Sequence, residues 1–141
     1  MQAPNTKQPN TTRSIWPKLI TFTLILLIVA VAVSLLPRGF SQDTSLIGKG
    51  TNIVVLVHDN NMVQSGETML AMNEVRDEYE GRLEFIVADI KTPAGKEFAD
   101  THGLNPAALV FFAANGEKLH TLYAPQVGES LRNNLKTIFK Y

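Results

Sequence analysis

Four side chains able to bind a soft metal ion, His58, Met62, Met69 and Met72, fall within one short stretch of the chain. Imidazole and thioether donors together suit Cu(I). Met69 and Met72, however, sit at the three-residue spacing of a core-facing helix stripe, where methionine is a gap filler. Only Met62 then remains in an exposed loop. Ser65 follows His58 by seven residues, but no acid–His–Ser order is legible, and a serine ahead of a periodic stretch reads as a helix cap. Glu74, Asp77, Glu78 and Glu80 read as a solvated helix face. Gly48-Lys49-Gly50 is too short for a phosphate loop and opens no helix. His102 and His120 stand far from the rest. The chain has no cysteine, which excludes disulfides, Cys-ligated zinc, iron–sulfur clusters and all thiol chemistry.

The elements that must carry these residues are read from hydropathy and charge. Of the 141 residues, 45% are apolar and 18% charged, an apolar surplus over the average soluble protein. The surplus is concentrated at one end. Leu19 to Leu36 is 18 residues without a charge, close to the ~20 needed to cross a bilayer. Trp16 suits the headgroup zone, Pro17 a helix start, and Lys18 can snorkel. The first 36 residues hold Lys7, Arg13 and Lys18 and no acid, so all 13 acids fall in the rest, against ten of the 13 basic residues. The basic residues place residues 1–18 in the cytoplasm as an unstructured tail, and the remainder outside, in a bacterial periplasm. A cleaved signal ending at Ala30-Val31-Ala32 is the competing reading, but Val33 to Leu36 continue the apolar run past that cut. Within the span, Thr23, Ala30 and Ser34 lie on one face, with Ala30 and Ser34 in a small-xxx-small pair suited to close helix packing. The acidic balance of the exported part argues against nucleic acid as a partner.

Residues 37–52, punctuated by Gly39, Gly48 and Gly50, read as a linker, and residues 53–141 as one domain. Ile53 to Val57 is a continuous β-branched run, as in a strand buried on both faces. A helix is expected from Ser65 to about Glu80, stopped by Gly81, with Met69, Met72, Val75 or Arg76, and Tyr79 on its inner stripe. Leu83 to Ile90 is a second strand, Ala94 to Thr101 a short helix between Pro93 and Gly103, and Ala107 to Ala113 a third strand. Asn115-Gly116 is a hairpin signal leading into Lys118 to Tyr123. Glu129 to Phe139 is the last helix. The order implies an α/β fold: a small mixed sheet with helices on both faces.

This order, with these residues, resembles thioredoxin. The resemblance is carried by Asn73 to Ile90, Thr101 to Glu117 and Ser130 to Ile138, within a stretch from Ile53 to Phe139. The family's first strand and helix would have to fit within Pro37 to Asn52, and are expected there in reduced form or not at all. Thioredoxins act through a Cys-x-x-Cys pair at the start of a helix, where the helix N-terminus favours a thiolate. That motif falls on Met62-Val63-Gln64-Ser65. The family's buried acid falls on Leu56, its lysine on Val87, the aromatic residue before the motif on Asn61, and its cis-proline near Ala108, with Pro106 close by. The whole constellation is replaced, so the resemblance implies a thioredoxin-like domain without redox catalysis, catalytic residues, cofactor or metal. It also implies a partner surface, made of Asp59, Asn60, Asn61, Met62 and Gln64 on one loop and Asn105 and Pro106 on another. The expected function is therefore a membrane-anchored, redox-inactive protein-binding or scaffold module, an accessory subunit of a membrane complex with no small-molecule substrate. The alternative is a membrane-tethered copper chaperone or assembly factor using His58 and its neighbouring methionines.

Overall fold

The computed structural model describes residues 1, 2, 4, 15–36, 39–123 and 125–141. The expected unstructured tail, residues 1–18, lies mostly outside them, but its last three residues, Trp16 to Lys18, are helical. The chain divides into two units, Met1–Arg38 and Gly39–Tyr141. The first contains a helix α1, Trp16–Ser34, with Pro17 in its opening turn. It is long and apolar enough to cross a membrane, with a mean hydropathy of 2.2.

The second unit is a mixed α/β domain. Its strands are β1 (Asn52–His58), β2 (Leu83–Asp89), β3 (Leu109–Phe112) and β4 (Lys118–Leu122). Its helices are α2 (Val63–Val75), α3 (Pro93–His102) and α4 (Gly128–Phe139). The strands form one sheet in the order β2-β1-β3-β4. β1 and β2 are parallel, in register from Asn52↔Leu83 to His58↔Asp89, while β3 runs antiparallel to both β1 and β4.

The continuous apolar run of β1 fits a strand with two dry faces, because alternate side chains point opposite ways. Val54 and Leu56 join Phe85, Val87, Leu109 and Phe111 under α2 and α4, which contribute Met72, Val75, Leu131 and Leu135. Ile53, Val55 and Val57 join Ile86, Ala88, Val110 and Phe112 under α3, which contributes Phe98 and Ala99. A one-residue slip of β1 would exchange these two sets, so the packing fixes the register.

The stops and starts follow local chemistry. Thr92 caps α3 by accepting the Gly95 N–H, and Gly103 ends it at φ +64°, the left-handed turn that glycine adopts without strain. Gly116 takes φ +88° in the β3–β4 hairpin. At the far end of α4 the Tyr141 hydroxyl donates to the Arg82 carbonyl at 2.9 Å and accepts from the Asn52 amide at 2.8 Å. Arg132 ties α4 to the helical turn Arg76–Tyr79 that follows α2, its Nε 2.8 and 3.0 Å from the two Glu78 oxygens.

Two expectations on this unit change. The stretch 39–52 is not a free linker. Phe40 packs edge-on to Phe85, and Arg76 stacks over its ring. Ser41 bridges Ile86 in the parallel sense, and the Gly50 N–H donates to the Ala114 carbonyl. The helix expected from Ser65 to Glu80 instead starts at Val63, with Met62 as its N-cap residue. Its last turn, Arg76–Tyr79, tightens to a 3-10 helix.

His102, the last residue of α3, lies against Phe98 and Phe112 with ring centroids 4.6 and 5.4 Å away. Burial, and then the Lys118 charge, hold its imidazole below the ordinary pKa. A helix C-terminus would favour the cation, but here the Gly103 and Leu104 N–H groups already occupy the Ala99 and Asp100 carbonyls. The folded domain therefore prefers neutral His102, and stability falls as the pH drops through the ordinary imidazole value of 6.5 and below. Melting temperatures at pH 7.5 and pH 5 should differ less in His102→Gln than in the native chain. An equal acid-side loss in both would contradict this.

Candidate functional site at the carboxyl end of the sheet

The chain leaves β1 into α2 on one face and β2 into α3 on the other. In open α/β sheets such a switch leaves a crevice outside the carboxyl ends of the strands, where ligands bind. The loop after β1 stands there. The Asp59 carboxylate accepts the Asn61 N–H at 2.9 Å, its carbonyl accepts the Met62 N–H at 3.0 Å, and the His58 carbonyl accepts the Ile90 N–H.

Ser65 is fully buried, and its role differs from the expected helix cap. Its Oγ lies 2.7 Å from His58 Nδ1 and accepts the Asp59 N–H at 3.2 Å. The other imidazole nitrogen, Nε2, bonds to Asn60 Oδ1. An amide oxygen only accepts, so Nε2 carries the proton, and Nδ1 accepts the Ser65 hydroxyl. The order Ser–His–Asn has the form of a nucleophile, a base and an orienting group. With no accessible surface, the Ser65 oxygen has no line of attack on a substrate. The three side chains bond one another and stiffen the loop.

The second loop meets the same end through the register of β1 with β3. Leu104 is its buried anchor, and its N–H donates to the Ala99 carbonyl at 2.9 Å. The Ala107 N–H donates to the Val57 carbonyl at 2.8 Å, and the Val57 N–H to the Ala108 carbonyl at 2.9 Å. Ala107 is buried with φ +67°, a conformation that costs an L-residue about 1–2 kcal/mol. The strand hydrogen bonds on both sides hold it there. No cis peptide bond occurs among the described residues.

The sequence-selected residues are thus divided by exposure. Asn60, Asn61, Gln64 and Asn105 are exposed, while Asp59, Met62 and Pro106 are half-buried. The candidate copper donors are otherwise engaged: both His58 nitrogens are taken, Met72 is fully buried in the core, and Met69 packs against that core. Among the described residues no three of His, Asp or Glu gather as a metal-holding group.

Sequence reasoning missed a third segment. Leu109 pairs with Leu122, so β4 ends beside the start of β3, and Tyr123 and residues 125–127 follow at the same end. Gln126 anchors them: it is buried, its N–H donates to Thr68 Oγ1 at 3.2 Å, and its Oε1 accepts from Asn134 at 2.9 Å. Around this anchor Tyr123 is 56% and Val127 67% exposed, and Val63 at the start of α2 is 73% exposed. The one legible signal was apolar residues in a connecting segment, where polar ones are the rule.

In α1, the Thr23 hydroxyl donates to the Leu19 carbonyl at 2.9 Å and the Ser34 hydroxyl to the Val31 carbonyl at 2.8 Å. Both hydroxyls are satisfied within their own helix. Together with Ala30 they leave a shallow, apolar face.

The fold and this end of the sheet define the class: a mixed α/β domain following one apolar helix. No protein-family model matches the chain. No curated protein matches it either. Among solved structures 140 chains match, and a shared fold carries no function by itself. One of them, described as a malarial protein, is 13% identical with a TM-score of 0.56, over 62% of this chain and 97% of that one. That is a likeness of fold.

Proposed function

We propose that the chain is a redox-inactive, thioredoxin-like protein-binding module, anchored in a bacterial inner membrane by α1 with its domain in the periplasm. Partners are recognised at the carboxyl end of the sheet, by the loops around Asn60, Asn105 and Tyr123. The observation that carries this reading is the closed Ser65–His58–Asn60 chain of hydrogen bonds. At the position where the resemblance sets a thiolate, the polar groups are spent on holding the loop, while Val63 and Tyr123 stand in solvent beside it. Exposed apolar side chains on a stiff frame lose little entropy on binding. The thioredoxin-like reading draws support from the sheet order β2-β1-β3-β4, with its one parallel pair, and from the short parallel bridge at Ser41, within the stretch where the family's first strand would have to fit. The anchor reading is supported by the length of α1, by Lys7 and Arg13 ahead of it and by Lys18 in its first turn.

The test is co-purification of the full chain in mild detergent. Val63→Asp with Tyr123→Asp is expected to lower partner recovery about tenfold or more, since a lost interface anchor costs about 2 kcal/mol. Both residues are exposed, so the fold is kept. Unchanged recovery would overturn the assignment of this surface.

A further inference from the structure

The same surface has a charge pattern that selects its partner, and the following rests on the binding reading above. The segments that build this end on the side of α2 and α4 are residues 59–75, 121–123 and 125–131. Together they contain Asp59, Glu67, Glu74 and Glu129, and no lysine or arginine. Glu67 and Glu129 are exposed. The first basic side chain reached along α4, Arg132, is already committed to Glu74 and Glu78. On this side the exposed apolar groups Val63, Tyr123 and Val127 are thus set among acids alone, while Lys91 stands in the β2–α3 connection. The chain also enters this domain at the opposite end of the sheet. Ser41 runs parallel to β2 at Ile86, so Gly39 and Phe40 lie toward the amino ends of the strands.

We infer that the partner is an extramembrane protein presenting an apolar patch rimmed by lysine or arginine, rather than a lipid surface. Anionic headgroups are repelled by such a rim, since it is basic clusters that bind them. Opposite charge on a protein partner speeds encounter and fixes orientation, while the apolar centre supplies most of the affinity. An acidic partner is rejected by the same rim.

The experiment uses the full chain in its native membrane, with a photoreactive residue at Val63. Adduct yield is expected to fall about fivefold or more in Glu67→Lys with Glu129→Lys, and to fall likewise when salt is raised to 0.5 M. It should be unchanged in Glu84→Lys with Glu97→Lys, two exposed acids elsewhere. Mass spectrometry of the adduct should place lysine or arginine beside the crosslinked residue. Equal yields in the two double variants, or adducts to lipid, would overturn the charge inference while leaving the binding surface standing. No adduct from the native chain would overturn the binding surface itself.

Discussion

Gly95→Ala is expected to destabilise the domain by about 2 kcal/mol or more. Gly95 lies in the first turn of α3, where the helix crosses the end of β2. A Cβ there would lie 2.0 Å from the Asp89 carbonyl oxygen and 2.5 Å from its carbon. These are backbone atoms of a paired strand, so they cannot swing aside as a side chain does. Thr92 adds to the constraint, donating to the same carbonyl at 2.7 Å and accepting the Gly95 N–H at 3.1 Å. An approach this close stands at the upper end of the about 1–3 kcal/mol, occasionally more, that overpacking costs. Alanine's better helix propensity returns about 1 kcal/mol, so the clash wins. Urea unfolding followed by circular dichroism, with Lys96→Ala as an exposed control, reads the difference. Equal midpoints for Gly95→Ala and the native chain would show that α3 does not approach β2 as described.

The second large effect is expected at Ser65. Ser65→Ala removes the Oγ that accepts the Asp59 N–H and bonds the His58 ring. The methyl group fits the space but leaves both partners unpaired, and a buried unpaired group costs about 1–3 kcal/mol. The expected loss of stability is about 2 kcal/mol. A second readout separates packing from shape. The amides of Asn61 and Met62, held by Asp59 in a turn, should exchange with solvent faster in the variant, while those of β3 keep their protection. A variant with native stability and native exchange would mean that the Ser65–His58–Asn60 chain does not hold the loop.

Much of the fold was legible because its signals are local. The β-branched run of β1 announces a strand with two buried faces, and Pro93 and Gly103 bracket α3 within a residue of where it lies. The misses are non-local. The Ser65 hydroxyl is drawn to His58 and the Asp59 N–H across seven residues, so it is not spent capping α2, and the helix starts two residues earlier at Val63. Residues 39–50 have the glycine punctuation of a linker, yet Phe40 and Ser41 find partners on β2 some 45 residues away. The candidate site was half legible. Two of its loops follow from the position of β1 and the resemblance. The third, around Tyr123 and Val127, depends on the pairing of Leu109 with Leu122 and on the buried Gln126, and no pattern in residues 123–127 announces either.

Hydrogen exchange on the full chain, free and in its isolated complex, tests the central claim most directly. Recognition at the carboxyl end of the sheet predicts slowed exchange in residues 59–66, 105–108 and 123–127, with β2 and the far end of α4 unchanged. Protection confined to the open edge of β4 or to α1, with those three segments unaffected, would contradict it.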